Sequence, residues 1–337
     1  MSHRRSRRPG RPLATALVAL ATGLAALLAG VGTGTGAAGA AAPAATSADS
    51  RPAPAQARRA GLDGRIAFVR DGQVFSMDRW GGDVRQLTTR GTNSHPQWSP
   101  DGQRIAYLHE AGGRRDIWVM SSGGGRQRAV TTTGDVTSLG ATWAPAGRRL
   151  AFSDGQGQLV TAASQPPFGV QAVEAYPTGG FCDEGDPSIR YPVYVNRFLS
   201  WSPDGRIALL GSDCYYDDRI DHYDTATGER RQVAASGADC CGYLEWSDLF
   251  WGPANQFGYT QRDTGQYGED VDAPLLIVYP GFRSLDGDTG GAPSPSGQFL
   301  ALSTTRDGVA VVVRARADGY GRTVLAVGSQ PDWQDRP

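Results

Sequence analysis

The sequence contains no lysine, so all 33 of its basic residues are arginines. It has only four cysteines, three methionines and four histidines in 337 residues. It also lacks the His-Glu-x-x-His, Cys-x-x-Cys and Gly-x-Ser-x-Gly patterns of zinc sites and serine hydrolases. We therefore expect no catalytic residues of a familiar kind, and the fold must be inferred from other features.

The balance of charge excludes one class of partner. Residues 61–337 carry 25 arginines against 33 acidic residues, and residues 161–290 alone carry 20 acids against 8 arginines. A surface that follows nucleic-acid phosphates needs the opposite sign. We expect no nucleic-acid binding.

The N-terminal segment has the composition of an export signal. Five arginines lie within residues 1–11, an apolar stretch covers residues 13–28, and small residues fill 36–45. A membrane anchor is the alternative, but the stretch is short for a bilayer span and rich in alanine and glycine. We predict a cleaved signal peptide at 1–41, a disordered Pro/Ala-rich spacer at 42–60 and a secreted or cell-envelope domain at 61–337, with no membrane span after cleavage.

One sequence motif recurs along the chain and divides it into repeats. "HPQWSPDGQRIAY" begins at His95, "ATWAPAGRRLAF" at Ala141 and "LSWSPDGRIALL" at Leu199. Taking the tryptophan as the anchor, the copies lie 40 to 58 residues apart, at Trp98, Trp143, Trp201, Trp246, Pro293 (a degenerate copy) and Trp333. Periods of this length indicate a repeat architecture.

Each repeat reads as four short strands, with Ser-Pro-Asp-Gly as the turn between the first two and the tryptophan packed between neighbouring units. "LDGRIAFVRDGQVFSMD", which begins at Leu62, supplies the later strands of a repeat without a tryptophan before them, and "PDW" near the C-terminus supplies an isolated first strand. The sequence therefore predicts an all-β, six-bladed β-propeller, closed by pairing of the C-terminal strand with the N-terminal blade.

The full repeat "PQWSPDGQRIAYLHEAGGRRDIWVMSSGGGRQRAVT" resembles the repeat of TolB-like six-bladed propellers, and "GQVFSMDRWGGDVRQLTTRG" is similar to its second half. The resemblance implies the propeller fold. It does not imply one function, because family members serve as protein-interaction platforms, periplasmic scaffolds and non-catalytic domains beside hydrolases.

The cysteines Cys182, Cys214, Cys240 and Cys241 all fall in the acidic segment. In an exported protein an even number of cysteines suggests disulfides, which we expect to join Cys182 and Cys214 to the vicinal pair in an order that the sequence leaves open. They would either staple the fold or hold a recognition rim of loops in place.

The same segment supplies the candidate binding residues, because acidic and aromatic side chains cluster there. Tyrosine and tryptophan are enriched at binding surfaces. The candidates are Asp183, Glu184, Asp186, Asp213, Tyr215, Tyr216, Asp217, Asp218, His222 and Trp251. His95 and His109 are expected to be structural, with His95 in a turn.

We predict a monomeric, non-catalytic binding protein that recognises a cell-envelope or extracellular protein through these loops. Two alternatives stay open: a carbohydrate-binding propeller, and a propeller lyase or hydrolase with an acidic or Ca²⁺-dependent site. No cofactor is required by the sequence, although the acidic loops could bind Ca²⁺.

Overall fold

The computed structural model describes residues 64–173, 197–211, 218–236, 244–265, 270 and 272–335. Within them the chain forms 23 strands and no α-helix. In chain order the strands are β1 (Ile66–Arg70), β2 (Gln73–Met77), β3 (Arg85–Gln86), β4 (Thr92–Trp98), β5 (Arg104–Ala111), β6 (Arg114–Ser121), β7 (Arg128–Ala129), β8 (Thr142–Trp143), β9 (Arg149–Ser153), β10 (Leu159–Ala163), β11 (Gln171–Ala172), β12 (Phe198–Trp201), β13 (Arg206–Gly211), β14 (Asp218–Asp224), β15 (Arg230–Ser236), β16 (Leu244–Trp251), β17 (Phe257–Asp263), β18 (Leu276–Val278), β19 (Thr289–Pro293), β20 (Phe299–Arg306), β21 (Val309–Arg316), β22 (Thr323–Val327) and β23 (Ser329–Trp333).

The strands form six antiparallel sheets, which we number as blades 1 to 6. Their orders are β23-β1-β2-β3, β4-β5-β6-β7, β8-β9-β10-β11, β12-β13-β14-β15, β16-β17-β18 and β19-β20-β21-β22. The first strand of each sheet contacts the first strands of both neighbouring sheets, so the six inner strands form a closed ring. The six-bladed propeller is thus confirmed.

Blade 1 closes the ring as the sequence predicts. Strand β23 pairs antiparallel with β1, with Trp333 opposite Ile66. Beyond β23, the Gln334 side chain accepts a hydrogen bond from the backbone of Arg65 at 2.9 Å and donates one to the carbonyl of Gly102 in blade 2 at 2.8 Å. The C-terminal strand therefore joins the N-terminal blade and also contacts the next one.

The apolar core consists of six clusters, one between each pair of neighbouring blades. β-Branched and aromatic side chains from adjacent sheets meet there, as expected for strands buried on both faces. Five of the clusters include a repeat tryptophan, and these are Trp98, Trp143, Trp201, Trp251 and Trp333. The repeated motif therefore forms a turn and supplies a tryptophan that packs between blades.

The anchor assigned to Trp246 was wrong, because Trp251 occupies that position in blade 5. In the turn after Trp251, Gly252 donates to the carbonyl of Gln256 at 2.7 Å and Asn255 donates to Gly252 at 3.1 Å. This is the bonding that Ser202 makes with Arg206 in blade 4. Asn255 has φ of 56°, a left-handed conformation that asparagine tolerates better than most residues, so it replaces the glycine that marks this turn elsewhere.

The predicted signal peptide, the spacer and the four cysteines lie outside the described residues. None of the described residues belongs to a helix with the length and hydropathy that a membrane crossing requires.

Candidate functional site

In most blades the residue three positions before the tryptophan position has an unusual backbone conformation. The angle φ is positive at this position in five of the six blades, at His95, Gly140, Asp248, Gly290 and Gln330. At four of these, the pairing register of the inner strand shifts. A β-bulge bends a strand and re-aims its side chains, and left-handed non-glycine residues are uncommon outside such sites.

The inner strands surround a cavity of about 760 Å³, lined by residues from all six blades. This volume falls within the range of about 300–1,000 Å³ that is typical of ligand pockets. The lining includes His95, Asp248 and Gln330 from the bulges, and all five anchor tryptophans. The repeat therefore places the same positions of each blade around one central space.

The cavity extends to the face of the ring that carries the turns after the tryptophan positions, which we call the turn face. Two residues after the anchor, five blades place a proline in the lining: Pro100, Pro145, Pro203, Pro253 and Pro295. Blade 1 places Asp335 at the equivalent position. The mouth of the cavity is thus a rim of prolines interrupted by one carboxylate.

Asp332, one residue before Trp333, lies deeper in the cavity wall. Its Oδ2 atom accepts a hydrogen bond from the backbone N–H of Trp98 at 2.6 Å, across the boundary between blades 1 and 2. Burial raises the pKa of Asp332 to about 8, and the nearby Asp335 contributes in the same direction. A carboxyl with that pKa is largely protonated at neutral pH when the cavity holds no cation.

Two other ionisable groups line the cavity. Burial raises the pKa of Asp248, which accepts a hydrogen bond from Ser247 Oγ at 2.9 Å. Burial and the charge of Arg115 lower the pKa of His95 to about 4, so this imidazole is neutral at physiological pH. Among the described residues that line the cavity there is no arginine, so acids provide its ionisable charge.

Seven of the ten candidate binding residues lie outside the described residues: Asp183, Glu184, Asp186, Asp213, Tyr215, Tyr216 and Asp217. The described strands that precede them in the chain, β11 and β13, run away from the turn face, as their antiparallel pairing requires. A recognition rim formed by these residues stays a prediction.

The structure places the other three candidates at the contact between blades 4 and 5. Asp218 pairs with Arg197 and accepts from the backbone N–H of Trp246 at 3.0 Å, although burial raises its pKa. The ring of His222 packs 5.0 Å from that of Trp251. Burial, with the charges of nearby arginines, lowers the pKa of His222 to about 4. Asp218 and His222 therefore have clear structural contacts, and Trp251 also lines the cavity.

The described residues contain no cluster of three or more metal-ligating side chains, and the Ca²⁺ hypothesis stays a prediction. His109, expected to be structural, contacts Asn93 Oδ1 at 2.8 Å and lies 4.6 Å from the Trp118 ring. His95 is not in a turn, because it lies within β4 at a bulge.

Sequence reasoning missed His95, Asp248, Asp332 and Asp335 as cavity residues. A signal for them was present, since each stands at a fixed offset from a tryptophan position, three or one before it or two after it. Which of these positions face the cavity becomes clear only once the inner strand and its bulge are known.

The architecture is that of a six-bladed β-propeller, and solved structures with a similar fold are known. No family model matches the sequence, and no curated protein matches it. Among solved structures, TolB from Acinetobacter baumannii matches with a TM-score of 0.58 and 16% identity, covering 81% of this chain and 67% of that one. A putative TolB from Agrobacterium tumefaciens matches with a TM-score of 0.50 and 18% identity, covering 80% and 91%.

A chain of a nidogen/laminin complex also matches, with a TM-score of 0.53 and 12% identity, covering 80% of this chain and 98% of that one. The chain therefore shares with these proteins the fold of a six-bladed β-propeller. At identities this low the likeness concerns the fold, and function has to be argued from the site.

Proposed function

We propose that this protein is an exported, non-catalytic binding protein of the cell envelope, and that its central cavity receives a segment of a partner protein. The observation that carries the proposal is the cavity itself, which all six blades line and which reaches the turn face. A site on a closed ring of strands is rigid, and a binding site gains affinity when it does not have to be ordered first.

The lining suits a protein segment. Tryptophan is enriched at the centres of protein interfaces, and five tryptophans contribute to this wall. The Nε1 atoms of Trp143 and Trp251 donate to the carbonyls of Gln97 and Ser200 in the preceding blades, at 2.9 and 3.0 Å, which fixes both rings. These two rings of the cavity wall are therefore held in one arrangement.

The contacts of the two partly buried histidines, His95 and His222, favour binding over catalysis. Among the described residues, no hydroxyl or carboxyl group forms a hydrogen bond with the His95 ring. The Nε2 atom of that ring lies 3.4 Å from Gln330 Nε2. His222 packs against Phe257 with ring centroids 4.8 Å apart. Nucleophilic catalysis needs a base within hydrogen-bond reach of a nucleophile.

The test is a capture experiment with a blocked cavity. The mature chain is immobilised, exposed to cell-envelope extract, and compared with Pro253→Trp, which places a bulky ring at the mouth. Ala254→Trp is the matched control, because Ala254 is exposed in the same turn and does not line the cavity.

The proposal expects one or more proteins that the unaltered chain and Ala254→Trp retain and that Pro253→Trp loses. Equal retention by all three proteins would place recognition elsewhere and refute the use of the cavity. Retention of glycans but no protein would favour the carbohydrate alternative.

A further inference from the structure

A second, smaller pocket lies in blade 2, and we call it the blade 2 pocket. It has a volume of about 280 Å³, and strands β5, β6 and β7 line it together with the residues that follow β7; its side chains include His109, Arg114, Asp116, Trp118 and Thr131. Strand β5 begins at the turn face and runs away from it, so His109 near its end lies toward the opposite face of the ring. None of these five residues lines the central cavity.

The blade 2 pocket contains an aromatic ring that the neighbouring blade covers with its own side chain. Trp118 is partly exposed, and its ring lies 4.6 Å from that of His109. The strand register places Phe75 and Arg70 at the equivalent positions of blade 1. There the guanidinium of Arg70 lies over the Phe75 ring, 5.1 Å from its centroid. Blade 2 has the shorter histidine in place of this arginine and has a pocket beside the larger ring.

The hydrogen bonds of Asn93 determine which nitrogen of His109 carries the proton. The Nδ2 atom of Asn93 donates to the carbonyl of Arg90 at 2.9 Å and to Gln73 Oε1 at 3.1 Å, so its Oδ1 atom accepts from His109 Nδ1 at 2.8 Å. Burial lowers the pKa of His109, although Asp116 opposes the shift, so the ring is neutral at physiological pH. Its Nε2 atom is therefore a hydrogen-bond acceptor.

Other polar atoms of the blade 2 pocket also have capacity for a ligand. Asp116 Oδ1 accepts from Thr131 Oγ1 at 2.8 Å and from a backbone N–H at 3.0 Å, whereas its Oδ2 atom has no partner among the described residues. The Nε1 atom of Trp118 likewise has none there. Arg114 donates to a backbone carbonyl through Nη2 at 2.6 Å, which leaves further N–H groups. The lining thus offers donors and acceptors, and its one acid is balanced by one base.

We infer that the blade 2 pocket binds a single neutral sugar ring, which packs on Trp118 and forms hydrogen bonds with His109, Asp116 and Arg114. A pyranose combines an apolar C–H face, which suits an aromatic ring, with hydroxyl groups that each donate and accept. A charged ligand fits less well, because it would meet a like charge on either Asp116 or Arg114. The volume lies just below the range of about 300–1,000 Å³ for larger ligands. This site is separate from the central cavity and does not depend on the proposed function.

The experiment is a titration of the mature chain with simple sugars, followed by saturation-transfer NMR because weak binding is expected. The neutral probes are the methyl pyranosides of glucose, galactose, mannose and N-acetylglucosamine, and the charged probes are glucosamine and glucuronate. Trp118→Phe introduces the residue type that blade 1 has at this position, and Asp116→Asn keeps an acceptor for Thr131 while it removes the charge. Trp80→Phe is the matched control, because Trp80 is 60% exposed and lines neither pocket.

We expect at least one neutral probe to bind with a dissociation constant on the order of 1 mM. Its affinity should fall at least about tenfold in Asp116→Asn and about threefold in Trp118→Phe, and should not change in Trp80→Phe. Dissociation constants above about 10 mM for every neutral probe, an affinity that both pocket variants keep, or tighter binding of a charged probe would overturn the inference.

The cavity variant Pro253→Trp separates this inference from the proposed function. It should bind the sugar as the unaltered chain does, because Pro253 lines only the central cavity. Loss of sugar binding in Pro253→Trp would place the sugar in the central cavity and overturn the inference. A failure of Pro253→Trp to lose a captured protein would refute the proposed function and leave the blade 2 pocket unaffected.

Discussion

Replacing Asp332 with asparagine should stabilise this protein at neutral and alkaline pH. The side chain lies between blades 1 and 2, and its Oδ2 atom accepts the backbone N–H of Trp98 at 2.6 Å. The amide oxygen of asparagine can accept the same hydrogen bond at nearly the same size. The variant therefore removes a charge and keeps the packing and the contact between the blades.

The magnitude follows from the pKa. Burial and Asp335 raise the pKa of Asp332 to about 8 in the folded state, against about 4 in an unfolded chain. Between these values the folded state holds a proton that the unfolded state has lost, so the free energy of unfolding falls as pH rises, by at most about 1.4 kcal/mol per unit. The full shift corresponds to about 5 kcal/mol, and contact of the carboxyl with the open cavity reduces the expected gain to about 2–3 kcal/mol near pH 8.

Denaturant unfolding followed by tryptophan fluorescence at several values between about pH 4 and about pH 9 would measure this gain. The difference between variant and unaltered chain should be near zero at the acid end and grow through neutral pH. Asp204→Asn should behave in the opposite way, because Arg206 and Ser202 lower the pKa of Asp204 to about 2 and its ionised form is the stabilising one. A less stable Asp332→Asn at alkaline pH would refute the reasoning that burial of this carboxylate is costly.

Three further outcomes are expected. Deleting residues 331–337 should open the ring and sharply lower the thermal midpoint, since β23 pairs with β1; an unchanged midpoint would contradict closure. Trp251→Ala should cost about 3–5 kcal/mol in denaturant unfolding through loss of packing between blades 4 and 5, with a smaller loss arguing against its role as anchor. Asn255→Ala should cost about 1 kcal/mol and Asn255→Gly should not, because φ there is positive; equal effects would contradict the turn assignment.

The sequence contained enough to predict the ring. The turn and tryptophan repeat, together with half-repeats at both ends, specify six blades and their closure, because a blade can be read from local turn chemistry and strand alternation. The degenerate copy at Pro293 was correctly included, since Ser294 and Gly297 form the same turn there. Repetition thus provided the long-range information that a single strand pattern lacks.

Blade 5 shows where this reading failed. Two tryptophans, Trp246 and Trp251, compete for the anchor, and the one followed by Gly-Pro-Ala-Asn lacks the glycine that ends this turn in the other blades that have it. Asparagine can replace glycine in a left-handed position, so the turn is kept while its sequence signature changes. The bulges at His95 and Gln330 were missed for a related reason, since neither residue type marks a left-handed position by itself.

Comparison of the six blades also shows which side chains of blade 1 the fold requires and which it does not. Two residues after the anchor, five blades have proline, so the turn does not require Asp335. One residue before the anchor, Thr142 in blade 3 accepts the backbone N–H of Trp201 at 2.8 Å, which is the contact that Asp332 makes with Trp98. A neutral hydroxyl therefore suffices for the contact between blades, and the charge of Asp332 is additional. A carboxylate that the architecture can replace, and whose ionisation opposes folding, is better explained by a ligand than by stability.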